Sequence, residues 1–170
     1  AVFAVLPLSS VLGQTGSDPV RICDMLASAQ LDLNRRADGV AREKMDVANA
    51  RSACSQALAL EPDSPRLHFL LGRVLDAAGD QAGAFSQFQK GADMGYPAAQ
   101  TMLGFAYEYG RGTSADIAKA MEWYRKAAEV DDPTGHYNLA IHYKTGVGLA
   151  KDSAKAAEHF EVAAASGHWG

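Results

Sequence analysis

The stretch Leu103–Ala128, LGFAYEYGRGTSADIAKAMEWYRKAA, decides the fold. Its pair Gly110-x-Gly112, followed by a helical-looking run, poses a choice between a phosphate-cradling loop and a turn. A Walker-type loop needs Gly-x-x-x-x-Gly-Lys-Ser/Thr between a strand and a helix, and Arg111 and Thr113 do not supply that spacing. Sliding the chain by 36 residues gives the answer. Leu103 falls on Leu139, Tyr107 on Tyr143, Gly110 on Gly146, Gly112 on Gly148, Asp116 on Asp152, Lys119 on Lys155, Tyr124 on Phe160 and Ala127-Ala128 on Ala163-Ala164. A glycine pair that recurs in register with a repeat is a turn, because glycine accepts the positive φ that ends a helix.

The repeat extends upstream. Leu71-Gly72 precedes Leu103-Gly104 by 32 residues, and Ala84, Phe88 and Ala92 precede Ala120, Tyr124 and Ala128 by 36, so the Gly110–Ala115 region holds four residues that the earlier unit lacks. Pro65, Pro97 and Pro133 each stand six residues before the Leu of the Leu-Gly or Leu-Ala pair. Proline there fits the first turn of a helix, where its missing N–H would be unpaired anyway. Ser64 and Asp132 precede two of these prolines as expected N-caps. Each unit therefore reads as a helix A, a turn and a helix B. Small residues (Gly72, Gly104, Ala120, Ala128) stand where the helices approach, and bulky ones (Leu71, Leu103, Phe88, Tyr124, Phe160) fill the space. Such a hairpin cannot bury its apolar face alone, so neighbouring units must stack.

The rest of the chain frames this core. The 170 residues carry 16 Lys and Arg against 20 Asp and Glu, a formal charge of −4, with no basic run beyond Arg35-Arg36. A nucleic-acid ligand would require a positive stripe to neutralise phosphates, so none is expected. Residues 1–17, AVFAVLPLSSVLGQTGS, are uncharged and match the apolar part of a secretion signal in length and composition. They fall short of the ~20 apolar residues of a membrane span. They read as a signal-peptide remnant, with an apolar segment docked on the chain's own groove as the alternative, and no membrane span is expected in the mature chain. The two cysteines, Cys23 and Cys54, lie 31 residues apart with no metal-ligand spacing around them. They are expected to form a disulfide in a periplasmic or secreted protein, the alternative being two buried thiols in the cytosol.

No catalytic signature stands out. The histidines (His68, His136, His142, His159, His168) form no His-Glu-x-x-His pair and read as surface or groove residues. No Gly-x-Ser-x-Gly is present, and Cys54 occupies a core-facing repeat position. No cofactor, metal or enzymatic activity is expected.

The pattern Leu-Gly, Tyr, Gly-x-Gly, Asp, Lys-Ala, Glu-Trp-Tyr, Lys-Ala-Ala resembles the Sel1-like repeat. Residues 97–170 are similar to two such units, and residues 45–96 to the related tetratricopeptide repeat in degenerate form. Residues 18–44 read as an N-terminal cap tied on by Cys23. The resemblance implies an all-α, right-handed α-solenoid of stacked helix-turn-helix repeats that binds a partner protein or peptide along its concave wall. Carried onto helix A of each unit, the family's groove positions are Arg66, Phe69, Arg73 and Asp76, then Thr101, Phe105, Glu108 and Tyr109, then Thr134, Tyr137, Ile141, Lys144 and Thr145. The resemblance implies an exported, non-enzymatic adaptor in envelope assembly, signalling or host interaction. A cell-wall-related enzyme or β-lactam-like small-molecule binder is the alternative. The closing SGHWG lies where a further helix A would begin, so the natural chain is expected to continue, and an uncapped last unit leaves a homo-oligomer open.

Overall fold

The computed structural model describes residues 18–28 and 44–165. The signal-like segment 1–17, part of the expected cap and the closing SGHWG lie outside them. The described residues form α1 (Pro19–Ala27), α2 (Val47–Leu60), α3 (Pro65–Ala77), α4 (Gln81–Asp93), α5 (Pro97–Tyr109), α6 (Ile117–Ala128), α7 (Pro133–Thr145) and α8 (Ser153–Ala165). Helices pack in sequence as the hairpins α1/α2, α3/α4, α5/α6 and α7/α8, and each hairpin lies on the next. The A helices α1, α3, α5 and α7 also touch one another along the stack. The fold is an α-solenoid.

Local sequence sets the helix ends. Proline begins α1, α3, α5 and α7. Asp80, Asp116 and Asp132 accept backbone N–H groups at the starts of α4, α6 and α7, supplying acceptors to donors that have no partner within the helix. Ser64 departs from expectation: it occupies the N-cap position of α3 without a side-chain cap bond. Gly110 and Gly146 end α5 and α7 in the left-handed conformation, with φ of 67° and 79°. The second glycine of each pair has a packing role beyond the turn. A Cβ at Gly112 would lie 2.1 Å from the Gln81 carbonyl oxygen at the start of α4, and one at Gly148 would lie 2.8 Å from Ile117 at the start of α6. The pair thus ends a helix and seals the loop against the preceding unit.

The core runs along the stack in two clusters. Leu67, Leu70, Val74, Phe88 and Leu103 fill its first part, and Met121, Tyr124 and Leu139 its second, with Tyr107 packed against both. Gly72 lets the Phe88 ring approach, and Gly104 admits Tyr124 in the same register, where an added Cβ would lie 2.6 Å from the ring. The Cys23–Cys54 disulfide is buried between α1 and α2.

Candidate functional site

The A helices carry the face on which the sequence places a groove, and the structure divides its residues into two groups. At the N-terminal end the polar groups are spent inside the protein. Arg66 is ion-paired to Asp24 of α1 and also donates to the Ser28 hydroxyl. Burial pushes the Arg66 guanidinium below its ordinary pKa, with Tyr96 acting in the opposite sense. Arg73 donates to the Ala27 carbonyl at the end of α1. Helix α1 therefore covers this part of the face.

Two expected groove residues are core residues instead. Phe69 is 3% exposed and packs with tilted rings against Phe88 and Tyr96. Thr101, also buried, donates its hydroxyl to Asp132 at 2.8 Å, and the same carboxylate oxygen caps α7 through Gly135 N–H. Both side chains sit at one repeat position and meet the N-cap residue of the following A helix: Tyr96 for Phe69, Asp132 for Thr101. In these two units that position joins one unit to the next and buries its side chain, whereas Tyr137, at the same position of the last described unit, is half-buried.

Further along, the face is open. Phe105 and Tyr109, one turn apart on α5, hold their ring centroids 4.5 Å apart, and Tyr109 is 60% exposed. The Arg111 guanidinium lies 5.7 Å from the Phe105 ring and bonds Asp76 of α3 at 2.7 Å, bridging adjacent units beside the aromatic pair. In register on α7 stand half-buried Ile141 and exposed Lys144 and Thr145. Tyr137 is half-buried, edge-on to Phe160 of α8. The open face therefore runs over Phe105, Tyr109, Ile141 and Lys144, flanked by Tyr137.

Glu108 lies beneath this face as a polar hub. Its carboxylate accepts the Tyr124 hydroxyl at 2.7 Å and lies 3.5 Å from Nε2 of buried His142. The Val147 carbonyl, 2.9 Å from His142 Nδ1, can only accept, which places a proton on that nitrogen. Burial, then the bond to Glu108, drives the Tyr124 phenol far above its ordinary pKa, and the Glu108 bond also raises that of Tyr109. Glu108 is thus committed to the α5–α6–α7 junction.

The histidines correct the sequence reading as well. His68, His136 and His142 are buried. His68 bridges Gln87 and the Pro62 carbonyl, and His136 Nδ1 lies 2.8 Å from His159 Nδ1. The signal was present in the spacing, since His68, Gln100 and His136 share one repeat position that faces helix B. Among the described residues no group of three or more His, Cys, Asp or Glu side chains is arranged to hold a metal ion. Nor is any described helix long and apolar enough to cross a membrane.

The family model of the Sel1 repeat matches residues 97–132 and 133–168. These two units are Sel1 repeats. Their boundaries coincide with the prolines that open α5 and α7. A Sel1 repeat protein from Oxalobacter formigenes is 32% identical, with a TM-score of 0.64 over 71% of this chain and 53% of its own. The protective antigen c5321 of uropathogenic Escherichia coli, which displays the same fold, is 24% identical with a TM-score of 0.68 over 96% of this chain and 34% of its own. DAP3-binding cell death enhancer 1 of rat is 48% identical over 48 residues, which are 28% of this chain and 9% of that protein. The chain thus spans about half of the Oxalobacter protein and a small part of the other two. Sel1 repeats typically serve as protein–protein interaction scaffolds.

Proposed function

We propose that this protein is a non-enzymatic scaffold that holds a partner protein or peptide against the A-helix face of its Sel1 repeats. The observation that carries the reading is the aromatic pair Phe105–Tyr109, with Tyr109 60% exposed, in register with Ile141 and Thr145 on the next A helix. An exposed ring on a rigid helix gives large contact area at little conformational cost, the quality that makes tyrosine a frequent hot spot. Two A helices side by side offer an extended segment several such contacts in a row. Among the described residues the open stretch spans α5 and α7, because α1 occupies the face at α3.

Work outside the cytoplasm, in the periplasm or as a secreted protein, belongs to the same proposal. The Cys23–Cys54 disulfide supports it, since such bonds persist in oxidising compartments. The likeness to a bacterial protective antigen fits a role in envelope assembly, signalling or host interaction.

The test compares capture of partners from the source cells by wild-type protein and by the double variant Phe105→Ala/Tyr109→Ala. A hot-spot pair is worth at least ~2 kcal/mol, so a partner retained by wild type should be lost by about 30-fold or more. Equal retention of every captured protein would reject the A-helix face as the binding surface.

A further inference from the structure

At the edge where the B helices end, an open cleft of about 600 Å³ lies between α2, α3 and α4, lined by Leu58, Pro62, His68, Gln87, Lys90 and Met94. The repeat shows what this place holds elsewhere. Gln87 falls in register with Trp123 in the next unit and with His159 in the last, so both following units put a ring where this one has an amide. Lys90 falls in register with Lys126, and the Lys126 ammonium lies 3.9 Å from the centroid of the Trp123 ring. Trp123 is half-buried there and packs against the core. In the unit with Gln87 the cation is retained and its ring is missing. Among the described residues Lys90 makes no ion pair or ring contact.

The walls suit a ring from outside. Leu58, Pro62 and the 43%-exposed Met94 offer apolar and thioether contact, and sulfur beside an aromatic edge is favourable. Lys90 supplies the cation that a ring face attracts, a charge complementarity already realised at Lys126–Trp123. His68 and Gln87, bonded 2.7 Å apart, form a polar back wall that can meet an indole N–H or a phenol O–H. The carboxylates of Asp63 and Asp93 at the margin disfavour an anionic ligand.

We propose that this cleft receives one aromatic side chain, an indole or a phenol, carried by a peptide segment of a partner protein. The bound ring takes the place that Trp123 fills one unit later. The proposal stands on different residues from the A-helix face, and either can fail without the other.

The test uses the full chain and the tripeptide acetyl-Gly-Trp-Gly-amide, followed by nuclear magnetic resonance. Saturable shifts confined to the Gln87 side-chain amide, the His68 ring and the Met94 methyl are expected, with no comparable response to acetyl-Gly-Ala-Gly-amide. Gln87→Trp copies the arrangement of the following unit, so it should fold with the wild-type helical circular dichroism and weaken tripeptide binding at least tenfold. Lys90→Ala should weaken it severalfold, whereas Phe105→Ala/Tyr109→Ala should bind the tripeptide as wild type does. Undiminished binding by Gln87→Trp or an equal response to the alanine tripeptide would each overturn the proposal.

Discussion

Replacing both Cys23 and Cys54 with alanine tests how the N-terminal hairpin is held. The bond closes a loop of 31 residues, and the chain-entropy relation values such a closure at about 4 kcal/mol near 25 °C. Among the described residues α1 is otherwise held by buried Val20 and Ala27, by Ile22 and Leu26 packed on the core, by Arg66 bonded to Asp24 and Ser28, and by the Arg73–Ala27 bond. Among the described residues Asp24 Oδ2 is buried without a hydrogen-bond partner, so the ion pair leaves part of its desolvation cost uncompensated. The loss should therefore concentrate at α1. In hydrogen exchange followed by mass spectrometry, α1 and the facing side of α3 should exchange orders of magnitude faster in the double variant, while α5, α6 and α7 keep wild-type rates. In a stack of units stability is transmitted mainly between neighbours, which is the reason for that gradient. Wild-type protection of α1, or an equal loss of protection in every helix, would refute the reasoning.

Other expectations concern the interior. Gly104→Ala would place a methyl 2.6 Å from the buried Tyr124 ring. Overpacking of ~1–3 kcal/mol, offset by about 1 kcal/mol of helix propensity, leaves a net loss of roughly 1 kcal/mol in denaturant unfolding, and a gain in stability would contradict the close approach. Tyr124→Phe removes the donor to Glu108 and should cost about 1 kcal/mol, because Glu108 remains open enough for water to replace it. His159 has its pKa pushed below the ordinary 6.5, first by burial and then by His136, with Lys155 adding to the shift and Glu158 opposing it. The unfolded chain then takes up the proton more readily, so this contribution to stability is complete above pH 6.5 and is lost as the pH falls through 6.5 toward the folded-state value. Melting temperature against pH should show that decline, and His159→Gln should flatten it. An unchanged slope would assign the effect to other groups.

Much of this architecture is written in the 36-residue period. Proline at the start of α3, α5 and α7, a left-handed glycine at the end of α5 and α7, and the small-to-large pairing of Gly104 with Tyr124 each follow from residue type and spacing, and each is present. The groove was less legible, because a helical register says which side chains share a stripe without saying what lies over it. Phe69 and Thr101 face the N-cap of the next A helix, a contact made between units. Arg66 and Arg73 are covered by α1, whose sequence lacks the repeat pattern and so gave no sign that it would occupy that face. The family resemblance names Tyr109 as a groove position, and its side chain is 60% exposed. The cleft beside Gln87 emerges only when that residue is aligned with Trp123 and His159, a comparison of neighbouring units that no single helix contains.

The most direct measurement is site-specific photo-crosslinking in the native compartment, with a benzophenone side chain placed in turn at Tyr109, Ile141 and exposed Glu122 of α6. Partner docking on the A-helix face predicts the same crosslinked product from positions 109 and 141 and none from 122. Crosslinking from 122 with none from 109 or 141 would contradict it.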